Sequence, residues 1–393
     1  MTRSRAFLAL NLAHFFDHLV LLILPTAALA IGRDYADALG PATWAFAAFA
    51  LATLPAGWLG DRWGRVPLMR LFWFGGGTGC LVAGLAPGAA GLALGMTLIG
   101  TFAAIYHPVA TAMVMGLDDR PGHALAVNGV WGNMGVAAAS LATALLAGLG
   151  DWRVAFVVPG VAMLLLGLVY AAIPAQVQTG AAMERPKDPP GSGSQLRVLA
   201  FLALSGLLGG LIFNGVTIAL PKFLDERLPG SGLLAVGTLA AAIFAVAGFA
   251  QLPVGRLLDR WGARPLLFAI EGTKTPFLLA MALAPGWLGA ATALPVMLLI
   301  FGEIPITAWL LGRYMDERWW SRAYAVQYLL ALGVAVATVS LITALHRSTG
   351  DQGALLVVLS ACSLTILAAT FLVPRTRRTH PCQAGVPTSA LGR

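Results

Sequence analysis

Charge is scarce in this sequence. Only 11% of its residues are Asp, Glu, Lys or Arg, while 58% are hydrophobic. An ordinary soluble domain carries about 25% charged residues, so this chain cannot build a water-exposed globular surface. Cysteine is scarcer still: Cys80, Cys362 and Cys382 are an odd number, two of them inside apolar runs and none in a CxxC spacing. That excludes a disulfide framework and a cysteine metal site. No GxxxxGK[ST] stretch occurs to carry ATP drive, and neither GxSxG nor HExxH is present. With no length left over for a soluble catalytic domain, neither an enzyme nor a cofactor is expected.

Long apolar runs are what the chain has instead. Broken at turn and charge signals, they form twelve segments: 6–32, 41–60, 70–87, 90–116, 124–149, 153–174, 197–222, 232–256, 265–285, 289–313, 322–346 and 352–373. Each matches the roughly 20 residues that a helix needs to cross a bilayer. The first run ends in Ala28-Leu29-Ala30, which fits a signal-peptidase site, but its core carries His14, Asp17 and His18 and is expected to stay as a helix. A polar stretch rich in Pro, Gly and Ser, 176–196, separates an N-terminal half (1–175) from a C-terminal half (197–374) and reads as a linker. Residues 375–393 form a basic tail.

Charge placement sets the orientation. Nineteen Lys and Arg fall on the side of the termini and the linker and five on the other, with Lys274 inside a segment. By the positive-inside rule both termini and the linker face the cytoplasm of a multi-pass inner (plasma) membrane protein. The net charge of +8 is spread over alternate loops rather than gathered on one stretch, which argues against nucleic acid. The expected partners are the lipid bilayer, a small-molecule substrate and protons, and a monomer is expected.

The halves repeat. Leu59-Gly60-Asp61-Arg62-Trp63-Gly64 returns 198 residues later as Leu257-Leu258-Asp259-Arg260-Trp261-Gly262, with Gly57 and Pro67 matched by Gly255 and Pro265. The stretch from Gly57 through Asp61, Arg62 and Gly64 to Arg65 closely resembles the G-x-L-x-D-R/K-x-G-R motif of the major facilitator superfamily. In the second copy Ala263 stands where the first has Arg65. The resemblance implies an all-α membrane fold of twelve transmembrane helices in two six-helix, pseudo-symmetric halves, with a substrate site between them near the midplane. It also implies that Gly57, Asp61, Arg62, Gly64, Arg65, Asp259 and Arg260 serve a conformational latch, Asp61 meeting a loop arginine or a helix N-terminus. Within the superfamily, His14-Phe15-Phe16-Asp17, the run Gly100 to Pro108, Gly122-His123-Ala124 and Gly132-Asn133-Met134-Gly135 resemble the fosmidomycin-resistance exporters. Val109 departs from the acidic residue common there.

Polar groups inside the membrane need a reason, because a charge at a helix centre costs roughly 2.5–3.5 kcal/mol on insertion scales. Segment 1 carries His14, Asp17 and His18 on one helical face. Segment 4 carries Tyr106 and His107, segment 7 Asn214 and segment 10 Glu303. In the fold implied by the resemblance these segments line one cavity, so the seven residues form a candidate substrate and proton site. Asp17, His107 and Glu303 are the expected proton carriers, with His14 and His18 tuning Asp17; Glu303 has no charged neighbour in its own segment. Each has a plainer reading as well: His14 as a brace, Asp17 with His18 as a buried pair, His107 bonding a carbonyl freed by Pro108, Asn214 as a cross-link between helices. Glu271 and Lys274 are spaced for a structural pair within one helix. The expected function is proton-coupled export of a small organic solute; import of a nutrient or of a divalent transition metal is the alternative.

Overall fold

A computed structural model of the chain contains twelve helices long and apolar enough to cross a membrane. It describes residues 2–115, 117, 121–173, 192–314, 326–327, 329–331 and 333–374. The spans are α1 (Ser4–Ala27), α2 (Tyr35–Gly60), α3 (Arg65–Gly84), α4 (Ala89–Thr111), α5 (Val127–Ala147) and α6 (Val154–Ala171). After the linker come α7 (Gln195–Arg227), α8 (Gly232–Leu258), α9 (Ala263–Leu283), α10 (Gly286–Leu311), α11 (Leu329–Thr349) and α12 (Gly353–Leu372). Helices are the expected answer for apolar runs of this length, because lipid offers no partner for an unpaired N–H or C=O.

Several boundaries move from the sequence expectation for local reasons. The second helical run starts at Tyr35 rather than near 41, because Asp34 caps it: its Oδ1 accepts from the Ala36 N–H at 2.9 Å. The third starts at Arg65 rather than 70, because one glycine makes the whole turn. Gly64 has φ +90°, a backbone open mainly to glycine, and Gly262 repeats it at φ +79° between α8 and α9. The helix containing α7 begins at Ser192, so the last positions assigned to the linker are helical. The rest of the linker and the tail lie outside the described residues.

Prolines break three of the spans in the same way. Pro25, Pro108 and Pro253 have no N–H to give to the carbonyl four residues back. Three residues before each of them the helix tightens into an i→i−3 bond: Leu22 N–H to Leu19 O, Ile105 N–H to Phe102 O and Ala250 N–H to Ala247 O. Pro221 and Pro305, by contrast, sit inside unbroken helices.

Close approach at glycine brings α1 against α5. A Cβ on Gly135 would lie 2.1 Å from the Phe15 carbonyl oxygen, and one on Gly132 would lie 2.5 Å from His14 Nε2. Any larger residue at these positions would displace the backbone or the imidazole.

The two sets of six helices touch along α5 and α8, where Asn133 Nδ2 donates to the Gly248 carbonyl at 3.2 Å. They also meet at the end of the bundle remote from the N-terminus. There Arg347 pairs with Asp37, the Tyr35 and His346 rings stand 5.6 Å apart, and Lys222 Nζ lies 5.7 Å from the Tyr35 ring centre.

Candidate functional site

The first polar cluster grows from one face of α1. His14 and His18, four residues apart, project toward the start of the α4 segment that follows the break before Pro108. His107 enters from that segment, its ring centre 5.4 Å from His14 and 5.6 Å from His18. Tyr106, beside it, stacks on His14 at 4.7 Å. Asp17 is fully buried, with Oδ2 3.4 Å from His107 Nε2. Five expected site residues therefore meet: His14, Asp17, His18, Tyr106 and His107.

A polar network behind them orients the cluster. His14 Nδ1 lies 2.7 Å from the Asn128 carbonyl oxygen. A carbonyl only accepts, so Nδ1 carries the proton and a neutral ring presents its lone pair at Nε2. The Tyr106 hydroxyl donates to the Leu10 carbonyl at 3.1 Å and accepts from Asn128 Nδ2 at 2.9 Å; the same amide reaches Asn11 Oδ1 at 2.9 Å. Asn11 and Asn128 were missed in the sequence, although both are amides inside apolar runs and Asn11 lies three residues before His14. The two-histidine spacing His14-x-x-x-His18 was passed over as well.

Glu303 does not join this cluster as its ion-pair partner. Lys274 of α9 holds it at 2.6 Å through Oε2 and holds Glu271 through Oε1, also at 2.6 Å. Ser363 of α12 donates to Glu271 Oε2 at 2.7 Å and accepts from Thr275 at 2.9 Å. Glu271 and Lys274 are fully buried and Glu303 is 6% exposed. The pair expected within one helix is thus two-thirds of a triad across α9 and α10, with Ser363 of α12 as its hydrogen-bond brace. No charged neighbour for Glu303 was visible in its own segment, because the neighbour is 29 residues away.

Asn214 takes the cross-linking role. Its Nδ2 donates to the carbonyls of Gly210, at 2.7 Å, and Ala331, at 2.8 Å, tying α7 to α11.

The repeated motif makes the same glycine turn twice. Gly57 and Gly60 lie against α4: a Cβ on the first would be 3.5 Å from Pro108 Cβ and on the second 3.1 Å from Val109 Cγ2. Arg62, Arg65 and Arg260 are exposed, and the Arg62 guanidinium sits 5.3 Å from the Trp58 ring centre. The side chains of Asp61 and Asp259 lie outside the described residues.

Twelve helices around buried polar clusters have the architecture of a membrane transporter, and the comparisons agree. Residues 6–311 match the model of the Major Facilitator Superfamily. The puromycin resistance protein of Streptomyces alboniger is 31% identical over 228 residues, covering 53% of this chain and 45% of that protein, so the match spans about half of that relative. Among solved structures, a bacterial homologue of the human lysosomal transporter Spinster, inward-facing and unoccupied, superposes with a TM-score of 0.68 at 17% identity, covering 95% of each chain. A POT family transporter in complex with 5-aminolevulinic acid reaches 0.74 at 12% identity, covering 94% of this chain and 96% of that one. The E. coli fucose:proton symporter reaches 0.64 at 14%, covering 96% and 100%. This chain belongs to the Major Facilitator Superfamily. Its fold is that of secondary active solute transporters, which are not enzymes.

Proposed function

We propose that this protein exports a small organic solute across the cytoplasmic membrane, driven by protons, with both termini in the cytoplasm. Likeness to a drug-resistance protein supports the outward direction and the organic substrate. The surplus of Lys and Arg on the side of the termini supports the orientation.

The observation that carries proton coupling is the Glu271–Lys274–Glu303 triad. One ammonium can neutralise one of two buried carboxylates; the other holds either an uncompensated charge or a proton. Glu271 is tied down by Ser363 as well as Lys274, so Glu303, the more exposed of the two, is the exchanging group. Of the three expected carriers, the triad therefore concentrates coupling on Glu303. Asp17, the three histidines and Tyr106 form a polar lining in the other half, against which the solute binds. Asn214 supports this cavity by holding α7 to α11. Alternating access is rocking of the halves: the Asp37–Arg347 pair and the Tyr35–His346–Lys222 contacts close the outer end here and part when the cavity opens outward.

The test is transport into inverted membrane vesicles under an imposed pH gradient, with a panel of organic solutes that includes puromycin. Glu303→Gln is expected to abolish gradient-driven accumulation while solute exchange continues. Full proton-driven accumulation in that variant would overturn the coupling assignment. Uptake running in the opposite direction would favour the importer reading.

A further inference from the structure

We infer that His14, His18 and His107 form a binding site for a divalent transition metal ion of the zinc class. Each of the three offers a ring nitrogen, and these atoms all lie within 4.8 Å of one another. Imidazole is a preferred ligand of zinc, at about 2.0–2.1 Å, which sets neighbouring donors roughly 3.3 Å apart in a tetrahedron. The donor atoms therefore close in by up to about 1.5 Å when the ion binds, a movement within reach of side-chain rotations. Three protein nitrogens leave a fourth position for water or for a donor atom of a bound solute.

Two independent observations point to a cation. Asp17 is completely buried, and neither carboxylate oxygen has a hydrogen-bond donor among the described residues. A buried carboxylate without donors is costly, and a metal ion held on the adjacent rings compensates its charge. Asp17 Oδ2 stands 3.4 Å from His107 Nε2, near enough to become the outer-sphere carboxylate partner of that imidazole once the ring is drawn onto an ion. The second observation is His14 Nε2, also buried without a hydrogen-bond partner among the described residues. The Asn128 carbonyl fixes the proton on Nδ1, which leaves Nε2 as a lone pair in the form that ligates. Gly132 leaves room for that ring, since a Cβ would lie 2.5 Å from Nε2.

The experiment uses the full chain, purified with a histidine-free tag and with His380→Ala and Cys382→Ser in the tail to remove other ligands. Zn2+ alone is titrated calorimetrically, and Co2+ is followed by its visible absorption. One equivalent is expected to bind, with the intense visible bands of a tetrahedral cobalt site. His14→Ala, His18→Ala and His107→Ala should each weaken binding at least tenfold. Asp17→Asn should weaken it about 10–100-fold, the range for a lost outer-sphere partner. Thr365→Ala, on the exposed face of α12 in the other half, should bind as the parent does. In case a histidine variant fails to fold, the parent's thermal unfolding is measured with and without Zn2+; a saturable rise in Tm is expected. No saturable binding by the parent, or undiminished binding in all three histidine variants, overturns the site. Metal binding needs no transport, so this result is separable from the failure of proton-driven export.

Discussion

The two halves share a scaffold and differ in chemistry. Both make the single-glycine turn after their second helix, at Gly64 and Gly262. In the first half, Pro25 and Pro108 break α1 and α4, and the histidine cluster sits next to those breaks, with a buried carboxylate that has no hydrogen-bond donor among the described residues. In the second, Pro221 and Pro305 leave α7 and α10 continuous, and the ionisable groups form a closed triad across α9 and α10, braced by Ser363 of α12. A repeated backbone thus carries a histidine cluster around one buried carboxylate on one side and a paired ionic network on the other. The repeat governs the turns; the polar chemistry is specific to each half.

Breaking the triad should have the largest effect on stability. Lys274→Ala leaves two buried carboxylates without their cation, and loss of one partner of a buried pair costs about 3–5 kcal/mol. The expected readout is a marked fall in the thermal unfolding midpoint in detergent. Adding Glu303→Gln should recover part of that loss, and strict additivity of the two variants would show that the side chains do not interact.

The motif copies sharpen the comparison through activity. Asp61→Asn should remove most transport with the protein still inserted, whereas Asp259→Asn, whose copy lacks the final arginine, should be milder. Equal, parent-like transport in both would remove the latch assignment.

A smaller effect is expected in the first half. Asn128→Ala removes the amide that joins Tyr106 to Asn11, at about 1–3 kcal/mol for buried groups left unsatisfied. It should cost less than Lys274→Ala because no charge is stranded. A larger loss than in the triad variant would reverse the ranking of the halves.

Smallest is the pair that closes the outer end. Asp37 and Arg347 are more than half exposed, so Arg347→Ala should change stability by under about 1 kcal/mol. A much larger loss in urea or thermal unfolding would mean that this contact is shielded from water.

The number of helices, their rough extents, the repeat and the turn motif were legible in the residues, because a bilayer imposes a length and apolarity that each segment meets alone. Asp17 beside two histidines was legible too, since positions three and four apart share a helical face. Tertiary structure decided the partners. His107 meets His14 and His18 because Tyr106 beside it bonds the Leu10 carbonyl of α1 and because the break before Pro108 sets the register of α4. Glu303 turned from a lone carboxylate into one arm of a triad because α9 brings Lys274 to it across 29 residues. Asn214 spent its amide on Ala331 of another helix for the same kind of reason. Within one helix, spacing fixes which side chains meet; between helices, only packing does, and no local period records it.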